Sequence, residues 1–221
     1  MYENLLCLPY FQGMGKDDIT AILDKVKLEF TTSNSKTLIR NRGEECNKFI
    51  ILTKGAIEAE ACDKEGTYTI TEEFTAPHAI EPYSIFGYNT KYKKKYTAKS
   101  ECTILEIEKN YFFSEFSKQN IFTLNLVNLV SRRAQLINDT IWDFTPTTIE
   151  GRIIAFIAQR CETANGRKRV NIKMERLAEL LCETRLNISH ALNNLQDNGL
   201  VVLNRKEIEI PEFKELLPFI K

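Results

Sequence analysis

Between Arg176 and Leu195 the chain reads R-L-A-E-L-L-C-E-T-R-L-N-I-S-H-A-L-N-N-L. The polar side chains of its second half are Arg185, Asn187, Ser189, His190 and Asn193. Such groups suit the base edges and phosphates of a nucleic-acid groove. Other chemistry is thinly represented. The two histidines, His78 and His190, are far apart, and the cysteines (Cys7, Cys46, Cys62, Cys102, Cys161, Cys182) include no C-x-x-C pair. This spacing excludes zinc ribbons and thioredoxin-like motifs, and it predicts no metal site and no catalytic residue. Reduced, mostly buried thiols are expected instead.

The elements that must position the polar groups can be read from apolar spacing. Leu177, Ala178, Leu180 and Leu181 form one short stripe; Ile188, Ala191, Leu192 and Leu195 form a second at helical spacing. Cys182, Glu183 and Thr184 between them allow only a tight turn, with Thr184 as N-cap. Two short helices so joined predict a helix-turn-helix. Beyond the turn at Asp197–Gly199, Leu200–Leu203, Asn204–Lys206 and Glu207–Ile210 read as strand, turn and strand, a wing. Upstream, Thr147–Glu150 fits a capping box opening a helix over Ile149–Cys161, and Asn165–Gly166 signals a hairpin turn beside Arg167, Lys168 and Arg169. The order predicts a winged helix-turn-helix over 146–221. Its expected DNA contacts are Thr184, Arg185, Asn187, Ser189 and His190, with Lys168 and Arg169. A helical protein-interaction domain is the competing reading; it leaves the polar face and the wing as coincidences.

The rest of the chain has two textures. From about Val26 to Ile107, Phe49–Leu52, Ala56–Ala61, Thr67–Thr71 and Thr103–Ile107 read as short strands separated by glycines, which predicts a barrel or sandwich over 1–108. A short helix over Lys16–Lys27 precedes them. Residues 109–145 have helical periodicity. Val127, Val130, Ala134, Ile137 and Ile141 make an a/d seam that predicts a homodimer interface, and Leu124, Leu129, Arg133 and Leu136 offer a second face to the barrel. Pro146 ends the helix, which places the linker near 143–147. The fold class is therefore α+β.

Composition sets the frame. The chain has 221 residues, with 30 Lys plus Arg against 30 Asp plus Glu, so its formal net charge is zero. No global positive field steers DNA to it, and the 146–221 segment carries 12 cationic against 10 acidic side chains. DNA binding must rest on a small local surface. No apolar run predicts a membrane helix, and Met1–Tyr10 lacks the pattern of a signal peptide, so a cytoplasmic protein is expected.

In this order of parts the chain resembles the Crp/Fnr-type bacterial transcription regulators. The matching pieces are Arg42-Gly43-Glu44 and Lys54-Gly55, Phe86-Gly87, Leu177-Ala178 and Thr184-Arg185. The resemblance implies an N-terminal cyclic-nucleotide-binding-type double-stranded β-roll (jelly-roll-like), a long dimerisation helix and the C-terminal winged helix-turn-helix. It also implies a near-palindromic operator in double-stranded DNA, an unidentified small-molecule effector and RNA polymerase as a candidate partner. The effector pocket falls on Phe86, Gly87, Tyr88, Tyr92 and Lys93.

The departures from the family pattern narrow the effector. Members that bind cyclic AMP follow Phe-Gly with a ribose-gripping Glu and carry an Arg-Ser/Thr-Ala triplet for the phosphate. Here Tyr88 follows Gly87, and the triplet position holds Tyr92-Lys93-Lys94. A lysine is not a bidentate fork, so cyclic AMP is not expected. Cysteines do not cluster near the N-terminus as in the family's iron–sulfur sensors, and His78 is the one candidate haem ligand in the roll. The cofactor is left unassigned. In the reader, Leu186 and His190 stand where the family has Glu and Arg; Arg185 is expected to contact guanine and Leu186 a thymine methyl. The resulting expectation is a dimeric, effector-controlled DNA-binding regulator. Its rivals are a constitutive regulator with a degenerate pocket, signalled by Tyr88 or Tyr92 pointing inward, and a cupin-like β-barrel enzyme.

Overall fold

The computed structural model describes residues 5–142 and 146–220. They form two units, Met1–Ala59 with Phe74–Gln135, and Glu60–Glu73 with Leu136–Lys221.

In the first unit α1 (Lys16–Leu23) opens with the Asp18 carboxylate accepting from the Gly15 N–H at 3.0 Å, and it buries Ile19, Ile22 and Leu23. Eight strands follow, of which residues 60–73 of the β4–β5 hairpin belong to the second unit: β1 (Leu28–Ser33), β2 (Leu38–Arg40), β3 (Lys48–Lys54), β4 (Ala56–Cys62), β5 (Tyr68–Thr75), β6 (His78–Ile80), β7 (Lys95–Ala98) and β8 (Cys102–Glu108). One sheet has the order β1-β8-β3-β6; β5, β4, β7 and β2 lie side by side in the other. The run Phe49–Leu52 has no exposure because β3 is a central strand, covered on both faces. β4 buries alternate residues Ile57 and Ala59, as its period-two pattern predicts. Between β3 and β4, Gly55 has φ 90°, and a Cβ there would stand 2.3 Å from the Glu101 carbonyl oxygen. Only glycine fits that turn. β1, β2, β6 and β7 were not legible: β1 leaves Phe30 half exposed, and β7 emerges from a lysine run.

Two helices follow β8, α2 (Asn110–Ser114) and α3 (Asn120–Trp142). Phe112, Phe116 and Phe122 form an aromatic cluster with Phe11, with Phe116 and Phe122 centroids 4.8 Å apart. The Asn125 amide donates to the Tyr10 and Gln12 carbonyls at 3.1 and 2.8 Å. The inward face of α3 is thus Phe122, Asn125 and Leu126. Leu124 and Leu136, expected on that face, are 61% and 49% exposed, because Phe122 and Leu126 set the rotation of the helix. Val127, Val130 and Ile137 are about half exposed, and Ala134 is exposed. The side chain of Ile141 and most of the expected linker lie outside the described residues.

The second unit holds α4 (Ile149–Ala158), β9 (Lys168–Ile172), α5 (Met174–Leu180), α6 (Arg185–Asp197), β10 (Val202–Asn204) and β11 (Glu207–Ile210). The cap of α4 is Thr148, whose hydroxyl accepts from the Gly151 N–H at 3.0 Å, one residue later than the expected box. β10 and β11 pair as the wing, Val202 opposite Glu209. β9 does not form the local hairpin expected at Asn165–Gly166. Its partners are distant in sequence: β11 on one side and Tyr68–Glu72 of β5 on the other. Ile153, Ile154, Val170, Leu177, Ile188, Leu192 and Ile210 meet in the core.

Candidate nucleic-acid interface

The turn between α5 and α6 is built by local hydrogen bonding. Cys182 adopts φ 52°, and the Glu183 N–H reaches back to the Ala178 carbonyl at 2.9 Å. This is the left-handed helix ending that glycine usually supplies. Thr184 is extended, and its hydroxyl accepts from the Asn187 N–H at 3.1 Å, the N-cap expected of it. The Glu183 carboxylate accepts from the Asn187 amide at 3.1 Å and from the Arg152 guanidinium at 2.6 Å. These bonds, Asn187 first, hold its carboxyl below the ordinary glutamate range. Arg152 also donates to the Leu181 carbonyl, so α4 braces the turn. Arg152 and Glu183 are positioning groups that sequence reading missed, since 31 residues separate them.

On α6, Ile188, Ala191, Leu192 and Leu195 are buried. The opposite face shows Arg185, Leu186, Asn187 and His190 to solvent, with Ser189 half-buried. The Arg185 side chain is 70% exposed and sits 3.3 Å from Glu175. Beside it opens a cleft of 240 Å³ whose lining includes Lys173, Glu175, Arg185, Asn204 and Lys206. Lys206 turns the wing at φ 63°. Lys173, Arg205 and Lys206 are exposed and take part in no ion pair among the described residues. Lys173 and Lys206 line the cleft beside Arg185, local cations of the kind that a neutral chain requires.

The basic triplet on β9 is used differently. Lys168 has no exposure; its ammonium bonds the Glu72 carboxylate and the Thr163 hydroxyl, each at 2.9 Å. Glu72 also accepts from the Glu162 and Thr163 N–H groups at 2.9 and 3.2 Å. Arg167 pairs with Glu209 at 2.7 Å, and Arg169 is half-buried. The exposed basic hairpin expected here is replaced by a central strand, and Lys168 belongs to the core rather than to a phosphate-facing surface.

Residues 151–219 match the model of the Crp-like helix-turn-helix domain. The C-terminal segment is thus a domain of the Crp-like helix-turn-helix type. The fold of the chain extends the likeness beyond that domain. The catabolite activator protein of Thermus thermophilus superposes with a TM-score of 0.54 at 16% identity, over 96% of this chain and 98% of that one. A protein from Eubacterium rectale described as a transcriptional regulator of the Crp/Fnr family gives 0.51 at 18% identity, over 96% and 97%. No curated protein matches the sequence significantly.

In the roll of the first unit two tyrosines, Tyr92 and Tyr96, are buried. Tyr92 is 1% exposed and hydrogen-bonds Cys46 and Arg40; burial drives its hydroxyl pKa far upward. Tyr96 packs edge-on to it at 6.4 Å. Phe86 is half-buried and meets Phe112 at 5.7 Å. Gly87, Tyr88 and Lys93 lie on the surface, Tyr88 wholly exposed. Of the five expected pocket residues, only Tyr92 and Phe86 pack inward. Glu81, which sequence reading passed over, is fully buried beside them and bonds the Lys93 N–H at 2.9 Å. His78, the candidate haem ligand, stacks on Phe74 at 4.1 Å. Among the described residues no three His, Cys, Asp or Glu side chains gather as a metal site.

Proposed function

We propose that the protein is a sequence-specific transcription regulator that binds double-stranded DNA as a homodimer, with α6 in the major groove. The observation that carries this reading is the exposed Arg185–Asn187–His190 face, braced by Thr184 and Glu183 and flanked by the free cations of the wing. Arg185 would grip a guanine, Asn187 and His190 would offer neighbouring donors, and Lys173, Arg205 and Lys206 would meet phosphates. The Thr184 side chain serves the cap, so its contribution is to position the helix.

The dimer reading rests on α3. Val127, Val130 and Ile137 repeat at a and d spacing and leave roughly half of each side chain in water. A second copy of the same helix would cover that stripe symmetrically and set two α6 helices on the half-sites of a near-palindrome. Val130→Glu should shift the protein to monomer in equilibrium sedimentation and weaken operator binding.

The inward Tyr92 supports a second reading for the sensor, a constitutive regulator whose roll needs no cyclic nucleotide. Control by another small molecule and contact with RNA polymerase belong to the first reading. For compartment, no described helix is long and apolar enough to cross a membrane, and a cytoplasmic location is part of the proposal. Duplexes selected from a random pool, with and without cell extract, would give the operator and report an effector. On that operator Arg185→Ala should cost about 1–3 kcal/mol and relax one base position. Unchanged affinity and unchanged specificity would overturn the assignment.

A further inference from the structure

Glu81 has no solvent exposure, yet it is a carboxylate. Its Oε1 accepts from the Lys93 N–H at 3.0 Å, the Lys94 N–H at 2.8 Å and the Tyr96 hydroxyl at 3.1 Å. Its Oε2 accepts from the Lys93 N–H at 2.9 Å and the Ser84 hydroxyl at 2.7 Å. Two consecutive backbone amides aimed at one point form an anion-binding concavity. Two hydroxyls complete it.

The backbone at Glu81 is left-handed, with φ 38° and ψ 51°. Non-glycine residues keep such a conformation where the surroundings over-determine it. Pro82 follows, and a residue before proline prefers extended geometry. The chain therefore accepts local strain at the point that delivers the carboxylate into the cradle. The segment it closes, Pro82 to Lys94, carries Phe86. That ring touches Phe112 at 5.7 Å, and Phe112 touches Phe122 of α3 at 5.7 Å. The segment that Glu81 closes thus meets the start of the long helix through Phe86 and Phe112.

We propose that this cradle is a binding site for a small oxyanion, carboxylate or phosphate, and that Glu81 occupies it as a ligand built into the chain. The roll is then held in its closed form by its own side chain, and DNA binding requires no added anionic effector. This deepens the constitutive reading above, and its DNA arm rests on that reading.

The test is chemical rescue. Glu81→Ala empties the cradle, whereas Glu81→Gln fills it with a side chain of the same shape. Thermal unfolding of both variants and of the wild type is followed in sodium acetate, inorganic phosphate and sodium chloride at equal ionic strength. A ligand that binds only the folded state raises its stability by mass action. Expected are a lower Tm for Glu81→Ala, a saturable rise in acetate or phosphate but not in chloride, and no such rise for Glu81→Gln or the wild type. Equal behaviour of Glu81→Ala in all three salts overturns the proposal, as does equal rescue of Glu81→Gln. If Glu81→Ala does not fold on expression, refolding yield from denaturant in the same salts is the readout, and equal yields overturn it. In the DNA arm, wild-type affinity for its selected operator should be indifferent to cyclic nucleotides and acetate, while Glu81→Ala should bind weakly and recover with acetate or phosphate. A wild type that selects no duplex would defeat the functional reading and leave the anion arm standing as its own test.

Discussion

Among the described residues, Glu72 and Glu81 are the two most deeply buried carboxylates, and they are satisfied by different means. Glu72, in the second unit, meets an ammonium: Lys168, itself without exposure, bonds it at 2.9 Å. Glu81, in the first unit, is met by two amides and two hydroxyls at 2.7 to 3.1 Å. The first arrangement joins two charges that were both costly to bury, so each depends on the other. The second spreads one charge over several dipoles. Glu183 supplies a third case. It lies near the surface of the helix-turn-helix turn and shares its charge with Arg152 and the Asn187 amide.

The comparison predicts an order of sensitivity. Lys168→Met takes the ammonium away from the buried Glu72 charge and should cost about 3–5 kcal/mol in denaturant unfolding. Adding Glu72→Gln should restore part of the loss, because a neutral amide oxygen still accepts the Glu162 and Thr163 N–H groups. A single variant as stable as the wild type would show that Lys168 does not hold the charge. Tyr96→Phe removes one donor of several around Glu81 and should cost less, about 1.5–3 kcal/mol, the range for a hydrogen bond to a charged group. A loss equal to that of Lys168→Met would erase the distinction between counterion and dipole. The smallest effect belongs to Glu183, whose folded-state carboxyl titrates below its ordinary value of 4.5. Its contribution is present above that pH and is lost as pH falls through the folded value. The stability difference between wild type and Glu183→Gln should be flat near neutrality and shrink below pH 4.5. A difference that grows on acidification would contradict the bonding described.

Legibility in the sequence followed the range of the interactions. The Thr184 cap, the turn before it and the two stripes of the helix-turn-helix depend on residues within about five positions, and the structure places them as read. The wing was equally local, Val202 pairing with Glu209 across a short turn. The exposed a and d stripe of α3 was visible for the same reason. Its inward face was not, because the aromatic cluster that orients the helix draws on Phe11 and Phe112. In the roll, Tyr92 was named but its direction was open, and Glu81 gave no signal; all its donors but Ser84 stand 12 to 15 residues away.

The sequence by itself determined which segments are helix, turn and wing, and the polar face that α6 offers. Those features arise from propensities, caps and periodicities that act within one or two turns of chain. Only the tertiary structure decided which charged groups are available. Lys168 and Arg185 look alike in sequence, two cations in a basic C-terminal segment. One lies on a central strand opposite Glu72, 96 residues away, and is sealed in the core; the other projects from a helix into water. Strand pairing between distant segments makes that choice, and no local pattern encodes it.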